Sequence, residues 1–382
     1  MRGSVDDLRP GPVDGVQALI LAGGEGTRLR PLTSTVPKPV VPLVDRPFIA
    51  YMIEWLRGHG VDDVILACGF MADGVRAVLG DGSALGVRLR YIEEPSPLGT
   101  GGALKYAQDL LDDRFFMLNG DVLSDMDLTA QLRQHEVSGA RATLALIAVD
   151  DPSSYGLVRL GDHYDVREFV EKPSPEEGGT HLVNAGAYIL EHDVLDGLAP
   201  AGTRISIERE MFPTLVGNGL YGFEASGYWL DIGTPERYLQ ATFEILEGDV
   251  RTEVGRQVAE AGGVLRRGQN RSGIVHGPAL VGSDCTLAAD AVVGSRSVLG
   301  ERVTVGRGAH IESSVVLDDV TIGDGTRISS SIIGPGATIG DRCRIEGRVV
   351  VGEGVVVGAG NTLLEGMRIF PGVQLPDGAI AF

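Results

Sequence analysis

Two patterns of apolar residues divide this chain. From Val16 to about Val250, apolar runs of strand length alternate with segments of helical spacing. Val16–Ala22 predicts a buried strand that stops abruptly at Gly23-Gly24, and Val61–Cys68, Val87–Ile92 and Phe115–Leu118 predict further strands. Phe48–Leu56 and Gly101–Leu111 carry their apolar residues at helix spacing. Thr143–Val149 and His181–Leu190 add strands, and Ser206–Leu215 and Pro235–Leu246 add helices. This alternation predicts an α/β domain with a mostly parallel sheet. Ligands of such sheets bind beyond the carboxyl ends of the strands, so the turns after Ala22 and Leu118 are where chemistry is expected.

The second pattern starts at Val281. An aliphatic residue recurs about every six positions: Val281, Leu287, Val293, Leu299, Val305, Ile311, Leu317, Ile322, Ile328, Ile333, and so on to Leu375. Only the steps from Leu317 to Ile322 and from Ile328 to Ile333 are shorter by one. Six matches neither the helical period nor the strand period. It fits a parallel β-helix, in which each short face turns one aliphatic residue inward and small residues make the corners. A β-sandwich with regular turns would not keep phase over so long a run. The expected organisation is therefore a loose tail over 1–15, an α/β domain over 16–250, a junction over 251–275 and a β-helix over 276–382.

Composition narrows the function classes. Glycine accounts for 55 of 382 residues, roughly twice the usual share, and β-helix corners take much of the excess. A net charge of −19 repels nucleic-acid backbones and anionic lipid, so neither nucleic acid nor membrane is an expected partner. A small anionic substrate in a local basic pocket stays compatible with that charge. Cys68, Cys285 and Cys343 are too scattered for a disulfide framework or a zinc spacing, which fits a reducing cytoplasm. No apolar stretch is long enough to cross a membrane. The polar opening, with Pro10 and Pro12, lacks the apolar core of a signal peptide.

The turn after the first strand reads Leu21-Ala22-Gly23-Gly24-Glu25-Gly26-Thr27-Arg28-Leu29-Arg30-Pro31-Leu32-Thr33. Glycines at 23, 24 and 26 let backbone N–H groups approach a phosphate without side-chain clash. It is no P-loop, because no Gly-Lys-Ser/Thr ends it, and Leu29 stands where a dinucleotide fingerprint needs its third glycine. Arg28, and Lys38 in Pro37-Lys38-Pro39, bring cations to the same stretch.

These motifs together resemble the sugar-1-phosphate nucleotidyltransferases (NDP-sugar pyrophosphorylases). The resemblance continues through Pro97-Leu98-Gly99-Thr100-Gly101-Gly102, Leu118-Asn119-Gly120-Asp121, Phe169-Val170-Glu171-Lys172-Pro173, Asn184-Ala185-Gly186, Ser206-Ile207-Glu208-Arg209-Glu210 and Tyr228-Trp229-Leu230-Asp231-Ile232-Gly233-Thr234-Pro235. With the hexapeptide tail, it is most similar to the mannose-1-phosphate guanylyltransferase branch. That implies an enzyme with a Rossmann-like nucleotidyltransferase domain followed by a left-handed β-helix.

The resemblance implies roles for matching residues. Leu21, Ala22, Gly23, Gly24, Gly26, Thr27, Arg28, Glu94, Pro97, Gly99, Thr100, Asn119 and Gly120 would bind the nucleoside triphosphate. Arg28, Lys38 and Asp121 would be catalytic, with Asp121 and Asp231 holding Mg²⁺. Gly156, Glu171, Lys172, Asn184 and Gly186 would bind the sugar 1-phosphate. Taken singly, Asp121 and Asp231 would more often be turn or cap residues, and Glu171 could be a surface partner of Lys172, though the Glu-Lys-Pro context favours function. Joining two anions calls for positioning and charge neutralisation more than proton transfer, and hard carboxylates suit Mg²⁺.

By the same resemblance, the loop Glu94-Pro95-Ser96-Pro97-Leu98-Gly99 would occupy the family's base-reading position, with Glu94 as its acid. A carboxylate only accepts hydrogen bonds, and guanine presents two adjacent donors, so GTP is the favoured nucleotide. The other reading turns Glu94 to solvent. Glucose 1-phosphate with dTTP, UTP or ATP stays open, as does a catalytically silent subunit that senses a nucleotide sugar. The retained Arg28, Lys38, Asp121, Lys172 and Asp231 favour an enzyme. His276 and His310 in the repeat region raise an acyltransferase reading, but no long loop interrupts the repeat. The β-helix is instead expected to serve homo-oligomerisation.

Overall fold

In the computed structural model, which describes residues 15–69, 71–153, 155–171, 181–268 and 272–381, each run read as a strand before Val250 is one. They are β1 (Gln17–Leu21), β2 (Asp63–Cys68), β3 (Arg88–Glu93), β4 (Arg114–Asn119), β5 (Ala142–Ala148) and β8 (Leu182–Glu191). The structure adds a hairpin of β6 (Gly156–Leu160) and β7 (Val166–Glu171), and a strand β9 (Leu220–Glu224). The helices are α1 (Phe48–Gly58), α2 (Ala72–Leu79), α3 (Gly99–Ala107), α4 (Leu128–Ser138), α5 (Pro235–Glu247) and α6 (Glu253–Glu260). Helix α4 escapes apolar periodicity because its buried face includes Thr129, Gln131 and His135; Asp127 caps it by accepting from Ala130 N–H at 2.9 Å. Ser206–Leu215 is not one regular helix: a π turn over Ile207–Met211 runs into a single α turn over Phe212–Leu215.

The described residues cluster into two compact units. One takes those of Met1–Gly24 and Met52–Trp229, the other those of Glu25–Tyr51 and Leu230–Phe382. The first unit holds the large sheet, in order β7-β6-β8-β4-β1-β2-β3, with β5 on β8 and β9 on β5. Strands β4, β1, β2 and β3 are mutually parallel. Beyond β4 the sheet changes sense, because β8 runs antiparallel to both β4 and β5. Ala18, Leu19 and Ile20 of central β1 are fully buried, as a strand covered on both faces requires. Its core gathers Leu19, Phe115, Met117, Tyr188 and Phe212, with the Tyr188 and Phe212 rings 5.2 Å apart.

In the second unit, residues from Val264 onward stack into three parallel sheets of seven, six and six short strands, the arrangement of a left-handed β-helix. The stack begins inside the stretch read as a junction, since Val264–Arg266 pairs with Ala279–Val281. The inward aliphatic residues are those of the six-residue series with one correction: Leu299 pairs with Val316, not Leu317. Val316 joins the interior cluster and is fully buried. The shortened steps are therefore Ile311 to Val316 and Ile328 to Ile333, both at the same corner of successive coils. Ser313 and Ser330 turn those corners with φ of 48° and 47°, and buried Ser331 N–H bonds Ser314 Oγ at 3.1 Å. Aspartates staple other corners: Asp341 Oδ1 accepts from Asp324 N–H at 2.9 Å, and a β-carbon on Gly323 would lie 2.5 Å from that oxygen. Among the described residues no helix is long and apolar enough to cross a membrane.

Candidate active site

The first unit brings part of the predicted site together at the carboxyl ends of β1, β2 and β4. Ala22 N–H bonds Ala67 O at 2.8 Å, and Gly120 N–H bonds Leu21 O at 2.9 Å. The Asn119-Gly120-Asp121 turn thus folds over the end of β1, so close that a β-carbon on Gly120 would sit 2.5 Å from Leu21 O. Nothing lies within 4 Å of where Gly24 would carry one, which leaves its backbone open to a ligand. Asn119 Oδ1 is buried without a hydrogen-bond partner. Such a group loses its water without replacement, and a ligand donor would repair that loss.

Glu94 belongs to the same cluster. Its backbone N–H bonds Cys68 O at 2.9 Å, and its Oε2 accepts from Leu98 N–H at 3.0 Å, closing the loop that exposes Pro97. A β-carbon on Gly23 would lie 2.9 Å from Glu94 Oε1. The side chain is half-buried against the glycine turn and does not extend into solvent. Burial raises its carboxyl pKa above the ordinary value, against the pull of the Leu98 N–H.

Gly99 and its neighbours serve the chain itself. Gly101 and Gly102 N–H both donate to Ile205 O, and a β-carbon on Gly99, whose φ is 72°, would meet that oxygen at 2.5 Å. Thr100 Oγ1 donates to Glu208 Oε2 at 2.8 Å while accepting from Ile207 N–H at 3.0 Å. This segment locks α3 to the Ser206 region.

On the sugar side, Gly156 pairs with Glu171 in the β6–β7 ladder. Asn184 sits where β8 slips register: its Oδ1 accepts from Gly186 N–H at 3.1 Å and its Nδ2 donates to Tyr188 Oη at 2.8 Å. Gly186 has a φ of 73°, and a β-carbon there would lie 2.8 Å from Asn119 Nδ2. Asn119, Asn184 and Gly186 therefore meet. The Glu171 side chain, Lys172 and the tail before Gly15 lie outside the described residues.

Two residues that spacing does not mark hold the chain leading to Asp231. Ser124 Oγ donates to Tyr228 O at 2.8 Å, and Asp125 Oδ1 accepts from Tyr228 N–H at 2.7 Å. Trp229 Nε1 then donates to Ala185 O at 2.8 Å, with its ring edge-on to Tyr155 at 5.3 Å.

The second unit carries Gly26, Thr27, Arg28, Lys38 and Asp231. Gly26 has a φ of 61° and leads into a short 3₁₀ turn over Thr27–Leu29. Its carbonyl accepts from Thr33 Oγ1 at 2.7 Å and Leu29 N–H at 2.9 Å. Lys38, read as a cation near the loop, is buried along its stem, only 3.0 Å from where a Gly26 β-carbon would stand. The Arg28 guanidinium lies against Gly233, where a β-carbon would meet Nη2 at 2.7 Å. Asp231 ends the strand Trp229–Asp231, and Thr234 caps α5 just after it. Among the described residues no three His, Cys, Asp or Glu side chains gather as a complete metal cage. Asp121 in the first unit and Asp231 in the second each carry the hard carboxylate oxygens that a divalent cation takes. A cleft of about 410 Å³ between α5 and corner residues Arg296, Ser330 and Arg348 contains none of the predicted site residues.

The chain is similar to known proteins. Residues 17–248 match the nucleotidyl transferase family and residues 275–378 match the GMPPB C-terminal domain. A mannose-1-phosphate guanylyltransferase of Mycobacterium tuberculosis is 38% identical over 96% of this chain and 98% of its own length. A UTP–glucose-1-phosphate uridylyltransferase of Synechocystis is 33% identical over 79% of this chain and 87% of its own. The crystal structure of a putative glucose-1-phosphate thymidylyltransferase from Bacillus anthracis, in complex with a sucrose, superposes with a TM-score of 0.54. It is 27% identical and covers 59% of this chain and 93% of its own.

Proposed function

The chain belongs to the nucleotidyl transferase family, an enzyme family that joins a nucleoside triphosphate to a sugar 1-phosphate, and we propose that this member makes GDP-mannose from GTP and mannose 1-phosphate. A phosphate oxygen of mannose 1-phosphate would attack the α-phosphorus of GTP in line. The bond to the β-phosphate oxygen breaks, and pyrophosphate leaves with the electron pair. Because both reactants are anions, the barrier is lowered mainly by positioning and charge neutralisation.

In this reading Arg28 and Lys38 neutralise the triphosphate and the departing pyrophosphate, Lys172 holds the sugar phosphate, and Glu171 and Asn184 bond sugar hydroxyls. Asp121 and Asp231 would hold a divalent ion, Mg²⁺ by their hard-oxygen chemistry. When bound, that ion neutralises charge on phosphate oxygens.

The observation carrying the base assignment is Glu94. Its carboxylate, held by Leu98 N–H beside Gly23, accepts from guanine's two adjacent donors and would repel the carbonyls of thymine or uracil. The similarity to the Mycobacterium tuberculosis transferase supports the same pair. The uridylyltransferase relative favours glucose 1-phosphate with another nucleotide as the second reading. A pyrophosphate-release panel crossing GTP, dTTP, UTP and ATP with mannose, glucose and N-acetylglucosamine 1-phosphates tests both. The highest kcat/KM for GTP with mannose 1-phosphate is expected, and preference for any other pair overturns the assignment.

The same reading takes 16–250 as the transferase domain and 276–382 as β-helix, with the first β-helix strand already inside the 251–275 junction, and the separate family matches support it. Homo-oligomerisation through the β-helix is supported by Phe370 and Val373, exposed apolar residues on its last coil. A reducing, cytoplasmic setting is supported by Cys68, Cys285 and Cys343, all buried and none in a disulfide.

A further inference from the structure

The first sheet of the β-helix stacks Leu280, Val298, Val315, Ile332 and Val350 in one ladder. All five are at most 2% exposed. The next rung is Arg368, an exposed guanidinium where the five rungs before it put a buried aliphatic side chain. Nothing in β-helix packing calls for a charge there. The neighbouring strand residue Ile369 keeps the inward role of its own ladder.

Arg368 reaches far along the chain. Its Nη1 donates to Arg28 O at 2.8 Å and also to Arg30 O. Those carbonyls flank Leu29, buried at the end of the 3₁₀ turn Thr27–Leu29. The same guanidinium acts on Glu236 in the first turn of α5. Burial of Glu236 opposes its ionisation, but its own backbone N–H, the Thr234 hydroxyl and the charges of Arg368 and Arg348 prevail and lower its pKa. Glu236 follows Gly233, against which the Arg28 guanidinium rests. Arg368 therefore touches the backbone of one loop bearing a candidate catalytic group and acts on the helix that begins just past Asp231.

We infer that Arg368 is a positioning residue: from the seventh strand of its sheet it holds the Arg28 turn in the geometry that presents Arg28 to the nucleotide phosphates. This rests on the assignment of that turn to the nucleotide made above. A cation donating to carbonyl oxygens makes a charge-assisted bond stronger than a neutral one, and here two carbonyls share one donor group. Other ties of the turn are local: Thr33 Oγ1 and Leu29 N–H to Gly26 O, Arg30 N–H to Thr27 O, Leu32 N–H to Leu29 O and the exposed Arg30–Glu25 pair. Without Arg368 the Arg28 carbonyl would face water, and the turn would sample further conformations before binding. The β-helix would on this account serve catalysis as well as packing.

The test uses the full-length chain. Steady-state kinetics with GTP and mannose 1-phosphate are measured for R368A, R368K, R28A, the R28A/R368A double variant, and R344A as an exposed β-helix control paired with Glu346. Loss of a charged donor predicts that R368A lowers kcat/KM for GTP about tenfold, with the KM for the sugar 1-phosphate and the Tm close to those of R344A. R368K, which keeps one donor, should recover most of the loss. The double variant should be no slower than R28A, because Arg368 acts through Arg28. Hydrogen exchange over 25–33 should accelerate in R368A alone among the β-helix variants. An impaired R28A beside an unimpaired R368A overturns this inference and leaves the nucleotide assignment standing. Additive losses in the double variant, or equal rises in KM for both substrates, overturn it too. An unimpaired R28A overturns the nucleotide assignment of the turn, and this inference with it.

Discussion

The Glu94 carboxylate stands directly over Gly23: a β-carbon at Gly23 would lie 2.9 Å from Glu94 Oε1. The glycine in this part of the phosphate-type turn thus makes room for the acid as well as for a ligand. Glu94→Gln keeps the shape and replaces one acceptor oxygen by a donor. Preference for GTP over dTTP, as a ratio of kcat/KM, is expected to fall about tenfold or more, the worth of one mismatched buried hydrogen bond. An unchanged ratio removes Glu94 from base recognition.

The same carboxylate gives the reaction an acid limb. Burial raises the Glu94 pKa, so on lowering the pH it takes up a proton earlier than an ordinary glutamate. The protonated form carries a donor that faces guanine's donors. The KM for GTP should therefore rise as pH falls through that raised pKa and stay low above it. A pH profile of kcat/KM for GTP in wild type and Glu94→Gln checks this, with the limb expected to vanish in the variant.

Asp121 follows the turn that crosses the end of β1 through the Gly120–Leu21 bond. Asp121→Asn preserves that backbone and removes the charge. A drop in kcat of about two to three orders of magnitude is expected, as for other lost electrostatic groups aimed at a reacting centre, with the Tm nearly unchanged. Turnover near wild type would take Asp121 out of the site.

Ile322 is 1% exposed, stacked between Val305 and Ile339. Ile322→Ala opens a cavity in a close-packed interior and should cost about 2–5 kcal/mol. Denaturant unfolding followed by far-UV circular dichroism measures it. Thr321→Ala, on the exposed alternate position of the same strand, should stay within about 0.5 kcal/mol.

Much of the architecture is legible in local pattern, because an aliphatic residue every six positions has few ways to be buried in phase. The strand ends at Leu21 and Asn119 are legible for the same reason, since apolar runs stop where the chain turns into glycine. The phase at Val316 and Leu317 is not, because both are aliphatic and only stacking on Leu299 selects between them. Helix α4 and the sheet reversal at β8 lack a local mark: one buries polar groups, and strand sense depends on the partner strand.

The candidate site divides the same way. Gly23, Gly24, Arg28, Asp121 and Asp231 stand out by motif. That Gly101 and Gly102 bond Ile205, that Asp125 holds Tyr228 and that Arg368 holds Arg28 does not. The sequence by itself determined the two materials of this protein, a strand-and-helix part and a six-residue solenoid, and the chemistry of its glycine turn, because these rest on periodicity and residue type. Only the tertiary structure decided which side chains hold that turn and which glycines are packing. Those roles arise from hydrogen bonds between segments as much as 340 residues apart, and no local period records such a distance.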